Sequence, residues 1–537
     1  MKSEKRIGIF GWGLVAPRSP NIEAFEKNLA GSDSWLTPFR EFGPSNFLVG
    51  YPQFAFEDYH EWFDSRFPPS RFSQLDEKMG PMTKYAMGAF IQSLRQNPGI
   101  EDYLQSLGLR CHVYVGTGLG ELTVLHEEAT SYDRARRRWN EFWAAEERCE
   151  PLRHHRDGHI DPDAPPDPAT SRIGSEEWID AKGAWEAYWM ERSGALQEYL
   201  AEARQIQAEP VPPSSGEAKL GNIREKLKGI RNLNRRWGCP PEPWSAVSAK
   251  LLWNISNIPA SQISMIGRIT GPAFAPIAAC ASFGVALRMA MDSIRLGEAD
   301  ACVIGMTDPP PSPLSISAFY NANVLASDAD VSRPMTGMKG THVSGGSCIW
   351  IVGDAEKLAA QGFEPLGLEI LAVGTSSDAH HIITPSKLGP QAAIQHALRD
   401  LDPSSVGSWD MHATATPGDA TEIEHSIEVL HKDVVFSARK GTFGHGMSVG
   451  GGWELTAQHL GTVAGRLFPA PLVEEEIHAD VRTHNARFVQ IDGCPAPAGL
   501  AGKLSMGIGG INSCVVSRSW GEAPLEASQK PEGRRQK

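Results

Sequence analysis

From Arg6 to Pro17 the chain reads RIGIFGWGLVAP, an apolar run punctuated only by glycine. The same grammar returns in CHVYVGTGLGE (Cys111–Glu121), ADACVIGM (Ala299–Met306) and SCIWIVGDAEKL (Ser347–Leu358). Short continuous apolar runs bounded by turn residues predict strands buried on both faces. A second series follows: LGLEILAVGTSS, the amphipathic GPQAAIQHALRDL, then SWDMHATATPGD, VVFSARKGTFGHG and GKLSMGIGGINSCVVSRS. Strands alternating with helical patterns of 10–15 residues predict an α/β architecture with buried sheets. The order of elements is loosely alike in 5–360 and 364–520, as in a duplicated α/β unit. The predicted organisation is an N-terminal half over 1–363, a C-terminal half over 364–520 and a disordered tail over 521–537.

One segment breaks this style. Over 131–243 the glycine-punctuated strands give way to DRARRRWNEFWAAEER, EEWIDAKGAWEAYWMERSGALQEYLAEARQ and NIREKLKGIRNLNRRWG, joined by the links DGHIDPDAPPDPATS and EPVPPSSGE. This predicts a helical insertion into the first half, its helices connected by surface loops. Trp139, Trp143, Trp178, Trp185 and Trp189 are expected to pack it onto the body or onto a partner. Arg134, Arg136, Arg137 and Arg138, with Lys226, Lys228, Arg231, Arg235 and Arg236, make it locally basic, a charge pattern suited to an acidic partner or to a solvated helix face.

The 537 residues carry a net charge of −13, which argues against a general nucleic-acid binder. No stretch reaches the roughly 18 apolar residues of a spanning helix, and MKSEKRIGIFGWG lacks a secretory core, so a cytoplasmic protein is expected. The eight cysteines stand singly without a CxxC pair, so neither a disulfide framework nor a structural zinc site is indicated.

Several stretches mimic chemical motifs. GIFGWGLVAP contains GxGxxA, but Pro17 interrupts the helix a dinucleotide site needs, and the glycines read as a tight turn. Gly446–Gly450 is formally GxSxG, yet a glycine-rich loop precedes it where a nucleophile elbow needs a strand. HHRDGHIDPD (His154–Asp163) reads as a solvated polar loop. Cys280 is different: in PIAACASFGVALRMAMDSIRLG a thiol sits where an apolar run meets a helical pattern, and a helix N-terminus with nearby cations stabilises a thiolate. His412 in DMHATATPGD and His445 in KGTFGHGMSVGGGWE stand in separate strand-end loops. One cysteine and two histidines so placed can converge on one substrate.

At these motifs the chain resembles the β-ketoacyl-acyl carrier protein synthases, condensing enzymes of the thiolase-fold superfamily. The resemblance rests on GPAFAPIAACAS (Gly271–Ser282), HATATPGD (His412–Asp419) and KGTFGH (Lys440–His445), with GWGLVAP, VGTGLGE, SRPMTG, SSDAHHIITP and MGIGGIN as further landmarks. It covers about 5–125 and 244–518. It implies a thiolase-like fold of two duplicated βαβαβαββ halves in five α-β-α-β-α layers. It implies a decarboxylative Claisen condensation, in polyketide or specialised fatty-acid-type biosynthesis, between an acyl group on Cys280 and malonyl-acyl carrier protein, with His412 and His445 promoting decarboxylation. By the same resemblance the N–H groups of Cys280 and Ile508 form an oxyanion hole, with Ile508 and Gly509 at the gate. Lys440 pairs with Glu454 and supports His445, and Thr414 and Thr416 bind phosphopantetheine. No cofactor and no metal are implied beyond substrates carried on phosphopantetheine. The implied partners are an acyl carrier protein and a second ketosynthase-like subunit, identical or not. A non-catalytic partner subunit and a condensing enzyme that also cyclises its product are the alternatives. The chain departs from the pattern at Ala413 for the glycine of HG, at Ile508 for a phenylalanine, and at Gly346 and Leu504, where some relatives place groups around a structural cation.

Overall fold

The computed structural model describes residues 5–43, 46–208, 216–382 and 386–521. The chain forms two compact units, one of Met1–Thr123 with Leu252–Lys537 and one of Val124–Leu251. All but Gly521 of the expected disordered tail, and most of the EPVPPSSGE link, lie outside the described residues.

The larger unit is built on a sheet of eleven strands. In chain order these are β1 (Ile7–Val15), β2 (Cys111–Gly116), β3 (Ala273–Phe274), β4 (Ala301–Asp308), β5 (Gly346–Asp354), β6 (Leu366–Ser377), β7 (Val406–Asp410), β8 (Val435–Ser437), β9 (Arg487–Phe488), β10 (Leu500–Gly507) and β11 (Ile511–Arg518). From the middle outward the first half runs β1-β5-β4-β2-β3 and the second runs β6-β11-β10-β7-β8, with β9 added at the edge. Strand directions match too: β5 is antiparallel to β1 and β4, and β11 to β6 and β10, while β4-β2-β3 and β10-β7-β8 are parallel. The two halves are thus the same topology twice, joined where Ile7 and Ile9 of β1 meet Ile370 and Leu366 of β6.

Helices α1 (Pro81–Leu94) and α2 (Ile258–Gly267) cover the outer face of the first half-sheet, α3 (Ser282–Leu296) and α6 (Gly450–Val463) lie between the half-sheets, and α4 (Leu388–Ala397) and α5 (Gly418–Val429) cover the second. Alternation along each strand decides this layering, because successive side chains point to opposite faces. Cys302, Ile304 and Met306 of β4 turn to the middle layer with Phe283, Leu287 and Trp453, while Ala301 and Val303 turn to Phe90 and Ile263 outside. All nine residues of β1 are buried. Here the structure departs from the tight turn expected at the glycines of GIFGWG: Gly11 and Gly13 lie inside β1. A Cβ on Gly13 would stand 2.1 Å from the carbonyl oxygen of Ala89, so glycine lets α1 pack directly on the strand.

The smaller unit is helical, with helices over Leu122–Trp143, Glu150–Arg156, Glu176–Glu191, Gly194–Ala208 and Gly216–Trp237. Its tryptophans make its own core: Trp139 and Trp143 pack with Leu196, Tyr199 and Leu233, and Trp185 and Trp189 with Cys149 and Leu152. Trp178 is half-buried. The basic cluster is partly neutralised, since Asp133 pairs with Arg136 and Arg137, and Glu202 with Arg236. His154 and His155, expected in a loop, lie on the helix Glu150–Arg156.

Candidate active site

Cys280, His412, His445 and Ile508 each follow the C-terminal end of a strand: β3, β7, β8 and β10. Those ends lie on one side of parallel ladders, where α/β sheets place their ligands. The four residues line one cleft with Thr414, Thr416, Phe319, Asp378 and His381.

Cys280 occupies a tight turn ahead of α3. Ala279 takes a left-handed backbone at φ 47°, and Ser282 locks the turn by accepting the N–H of Ala278 at 2.8 Å and donating to the carbonyl of Ala279 at 2.6 Å. The preceding apolar run is irregular rather than a strand. Gly507 allows β10 to approach, since a Cβ there would lie 2.8 Å from the carbonyl oxygen of Ala278. This approach brings the N–H of Ile508 close enough to Cys280 to favour its thiolate. Ile508 itself is 42% exposed at the cleft rim, and Gly509 beyond it has φ 92°.

His445 enters after a four-residue helical turn, Lys440–Phe443, closed by Gly444 at φ 74°. Its N–H donates to the carbonyl of His342 at 2.6 Å, which fixes the ring direction from the main chain. Nε2 then stands 3.1 Å from the Cys280 sulfur. The His412 ring meets the His445 ring edge-to-face, centroids 5.4 Å apart. The loop carrying His412 is held by two buried carboxylates. Glu422 accepts the N–H groups of His412 and Ala413 at 2.6 and 2.7 Å, and Asp419 those of Thr414, Ala415 and Met335 at 2.9–3.1 Å. These bonds hold Ala413 at φ 21° and Ala415 at φ 60°, conformations that glycine adopts without strain. Thr414 and Thr416 turn their hydroxyls together, 3.0 Å apart, at the cleft wall.

Lys440 pairs with Glu454 at 2.6 Å, and its Nζ donates to the carbonyl of His412, so its direct contact is with His412 rather than His445. Around this pair lie Lys503, Asp410 and Arg439, all fully buried, with Lys503 to Glu454 at 2.8 Å and Arg439 to Asp410 at 2.9 Å. Sequence reasoning missed Glu422, Asp410, Arg439 and Lys503. The available signal was a lone charge inside an apolar strand run, as at Lys503 in GKLSMGIGG. Asp308, at the end of β4, was missed as well. It accepts the hydroxyl and N–H of Ser448 at 2.6 and 2.9 Å, so the serine of GxSxG ties its loop to the first half.

Burial governs the titration of the site. It pushes the Cys280 thiol up to about 11, against the pull of the Lys440 charge and the Ile508 N–H. The expected stabilisation by a helix start is outweighed, because α3 begins only at Ser282 and the sulfur is dry. Burial, then Lys440, drives both histidines well below the ordinary imidazole value, so both are neutral at pH 7. The resting site is therefore thiol beside neutral imidazole. Alkylation of Cys280 by iodoacetamide is accordingly expected to rise about tenfold per pH unit from pH 7 to 9.5, following the thiolate fraction. Peptide-mapped alkylation rates check this; a plateau below pH 7 would indicate a preformed thiolate–imidazolium pair instead. The Cys280 sulfur and one nitrogen of each imidazole lie within 4.8 Å of one another, a spacing that ligands sharing one metal ion can have.

A buried thiol under two neutral imidazoles sets a nucleophile and two N–H donors around one cleft. Residues 232–353 match the family model described as Beta-ketoacyl synthase, N-terminal domain, and 368–469 its C-terminal domain. Over these two stretches the chain is similar to the β-ketoacyl synthase family. It is 27% identical over 277 residues to the 3-oxoacyl-[acyl-carrier-protein] synthase 2 of Staphylococcus aureus, covering 49% of this chain and 67% of that one. It is 30% identical over 245 residues to Nodulation protein E of Rhizobium meliloti, covering 44% of this chain and 59% of that one. The matches thus span about two thirds or less of these relatives. Among solved structures, the ishigamide ketosynthase/chain length factor superposes with TM-score 0.66 at 18% identity, over 97% of this chain and 100% of that one. The AntDE ketosynthase, solved with its type II polyketide acyl-carrier protein and bound to the hexaketide, gives 0.63 at 16% identity, over 96% and 100%. These two show the fold. Among the described residues no helix is long and apolar enough to cross a membrane.

Proposed function

We propose that the chain is a β-ketoacyl synthase that condenses an acyl group on Cys280 with malonyl-acyl carrier protein, in polyketide or specialised fatty-acid-type biosynthesis. The observation that carries this reading is the 3.1 Å contact of His445 Nε2 with the Cys280 sulfur, with His412 facing the same cleft. In the first half-reaction the sulfur attacks the thioester carbonyl of an acyl carrier. The thiol proton passes to His445, the nearest acceptor, and then to the departing carrier thiolate. The N–H groups of Ile508 and Cys280 hold the carbonyl oxygen as it becomes negative.

In the second half-reaction malonyl thioester loses CO2, and the bonding pair becomes an enolate whose oxygen takes hydrogen bonds from the two neutral imidazoles, His445 now carrying its single proton on Nε2. Such preorganised donors in a dry site are worth several kcal/mol. The enolate carbon attacks the acyl-cysteine, the sulfur leaves as a thiolate that regains its proton from water, and a β-ketoacyl thioester two carbons longer is released. Thr414 and Thr416 bind the phosphopantetheine arm, for which neutral hydroxyls are suitable donors and acceptors. An acyl carrier protein delivers both substrates, and a ketosynthase-like subunit completes a dimer, in keeping with the ketosynthase–carrier and ketosynthase/chain length factor pairs among the structural neighbours. The eight free cysteines suit a reducing compartment such as the cytoplasm.

The test is a two-step mass measurement. The protein incubated with acyl-carrier thioesters of graded length should gain one acyl mass, and malonyl-carrier protein should then discharge it as a product two carbons longer. Loading without discharge of an extended product would overturn the condensation reading.

A further inference from the structure

Behind the cleft lies a charged layer to which the steps above assign no chemistry. At its centre is Lys503, on β10 and 1% exposed. Its Nζ donates to the carbonyl oxygens of Met411 at 3.0 Å and Leu504 at 2.6 Å. The same Nζ pairs with Glu454 Oε2 at 2.8 Å and stands 3.7 Å from Asp410 Oδ1. Two carbonyl and two carboxylate oxygens in a dry pocket are the ligand set of a hard cation. A buried ammonium is costly to desolvate, and apolar replacements of buried ion pairs are often neutral or stabilising, so stability alone is a weak reason for this lysine.

Two routes lead from Lys503 to His412. Met411, whose carbonyl Lys503 holds, immediately precedes His412. Glu454, which Lys503 pairs with, in turn holds Lys440, whose Nζ donates to the His412 carbonyl. The Cys280 turn is fastened separately, by Ser282 and by Ser513 donating to the carbonyl of Ala281 at 3.2 Å. We infer that Lys503 is a positioning residue for His412, its tethered ammonium doing the work of an oxygen-ligated monovalent cation. The inference rests on the proposed role of His412 in decarboxylation.

The two half-reactions separate positioning from general loss of structure. In Lys503→Ala, decarboxylation of malonyl-carrier protein should fall about tenfold or more, while acylation of Cys280 stays within about threefold of wild type. Ammonium or methylammonium ion should restore part of the lost decarboxylation; tetramethylammonium, too large for the cage and without N–H groups, should not. Equal loss in both half-reactions, or no rescue, overturns the inference. The unaltered protein supplies a second arm should the variant fail to fold. Its decarboxylation rate and Tm should agree within about twofold in lithium, sodium, potassium and tetramethylammonium chlorides at equal ionic strength. Activation beyond about tenfold by sodium or potassium also overturns it. A wild-type chain that decarboxylates no malonyl thioester defeats the functional reading itself; an active wild type with an equally active Lys503→Ala defeats only this one.

Discussion

Cys280→Ala is expected to leave no acyl mass on the chain after exposure to any acyl-carrier thioester, and to lower condensation by about 10⁴-fold or more. The expectation follows from geometry as well as from reactivity. The other seven cysteines are free thiols too, but six of them are buried in cores away from the cleft and Cys494 is half-buried at another edge. Only the sulfur of Cys280 has, among the described residues, an imidazole nitrogen at 3.1 Å. The substitution removes one small group from a turn held by Ser282, so the fold should survive, and an unchanged Tm would show that it did. Intact-protein mass spectrometry decides the matter. Equal acyl mass on Cys280→Ala and wild type would show that another nucleophile is loaded.

His412→Ala is expected to lower decarboxylation of malonyl-carrier protein by about 10²–10³-fold, the usual effect of deleting one oxyanion donor. Acyl loading of Cys280 should stay within about threefold, because the thiol's neighbour is His445. Burial keeps His412 neutral and therefore able to donate one N–H without first losing a proton. His412→Gln, whose amide can still donate, should recover part of the loss. CO2 release and acetyl-carrier formation measure the step directly. A His412→Ala enzyme that decarboxylates normally would place the oxyanion elsewhere in the cleft.

The architecture was largely legible because its strands are buried on both faces: RIGIFGWGLV and ADACVIG are continuous apolar runs that a solvated element could not sustain. The duplication appeared only as a loose likeness in element order. Pairing partners decided it, since the shared 1-5-4-2-3 order within each half depends on contacts between segments hundreds of residues apart. The glycines of GIFGWG misled the local reading, because a glycine demanded by a neighbouring helix backbone looks the same in sequence as one demanded by a turn. The tryptophans of the insertion were expected to pack it onto the body or onto a partner; Trp139, Trp143, Trp185 and Trp189 instead form the core of their own unit, because periodicity shows that a face is buried but not against what.

At the site, the sequence by itself determined the reactive groups. A thiol after small residues and two histidines among glycines and threonines are local chemical facts, and their motifs carry the family resemblance. What only the tertiary structure decided is the state of those groups and what holds them. Burial is a property of the whole fold, and it leaves the thiol protonated and the imidazoles neutral where a helix N-terminus alone pointed to a thiolate. The carboxylates of Glu422 and Asp419 and the ammoniums of Lys440 and Lys503 meet the catalytic loops across long stretches of chain. A charged residue in a strand has no visible partner in sequence; its partner is set by strand order, and strand order is set by which apolar faces must be covered.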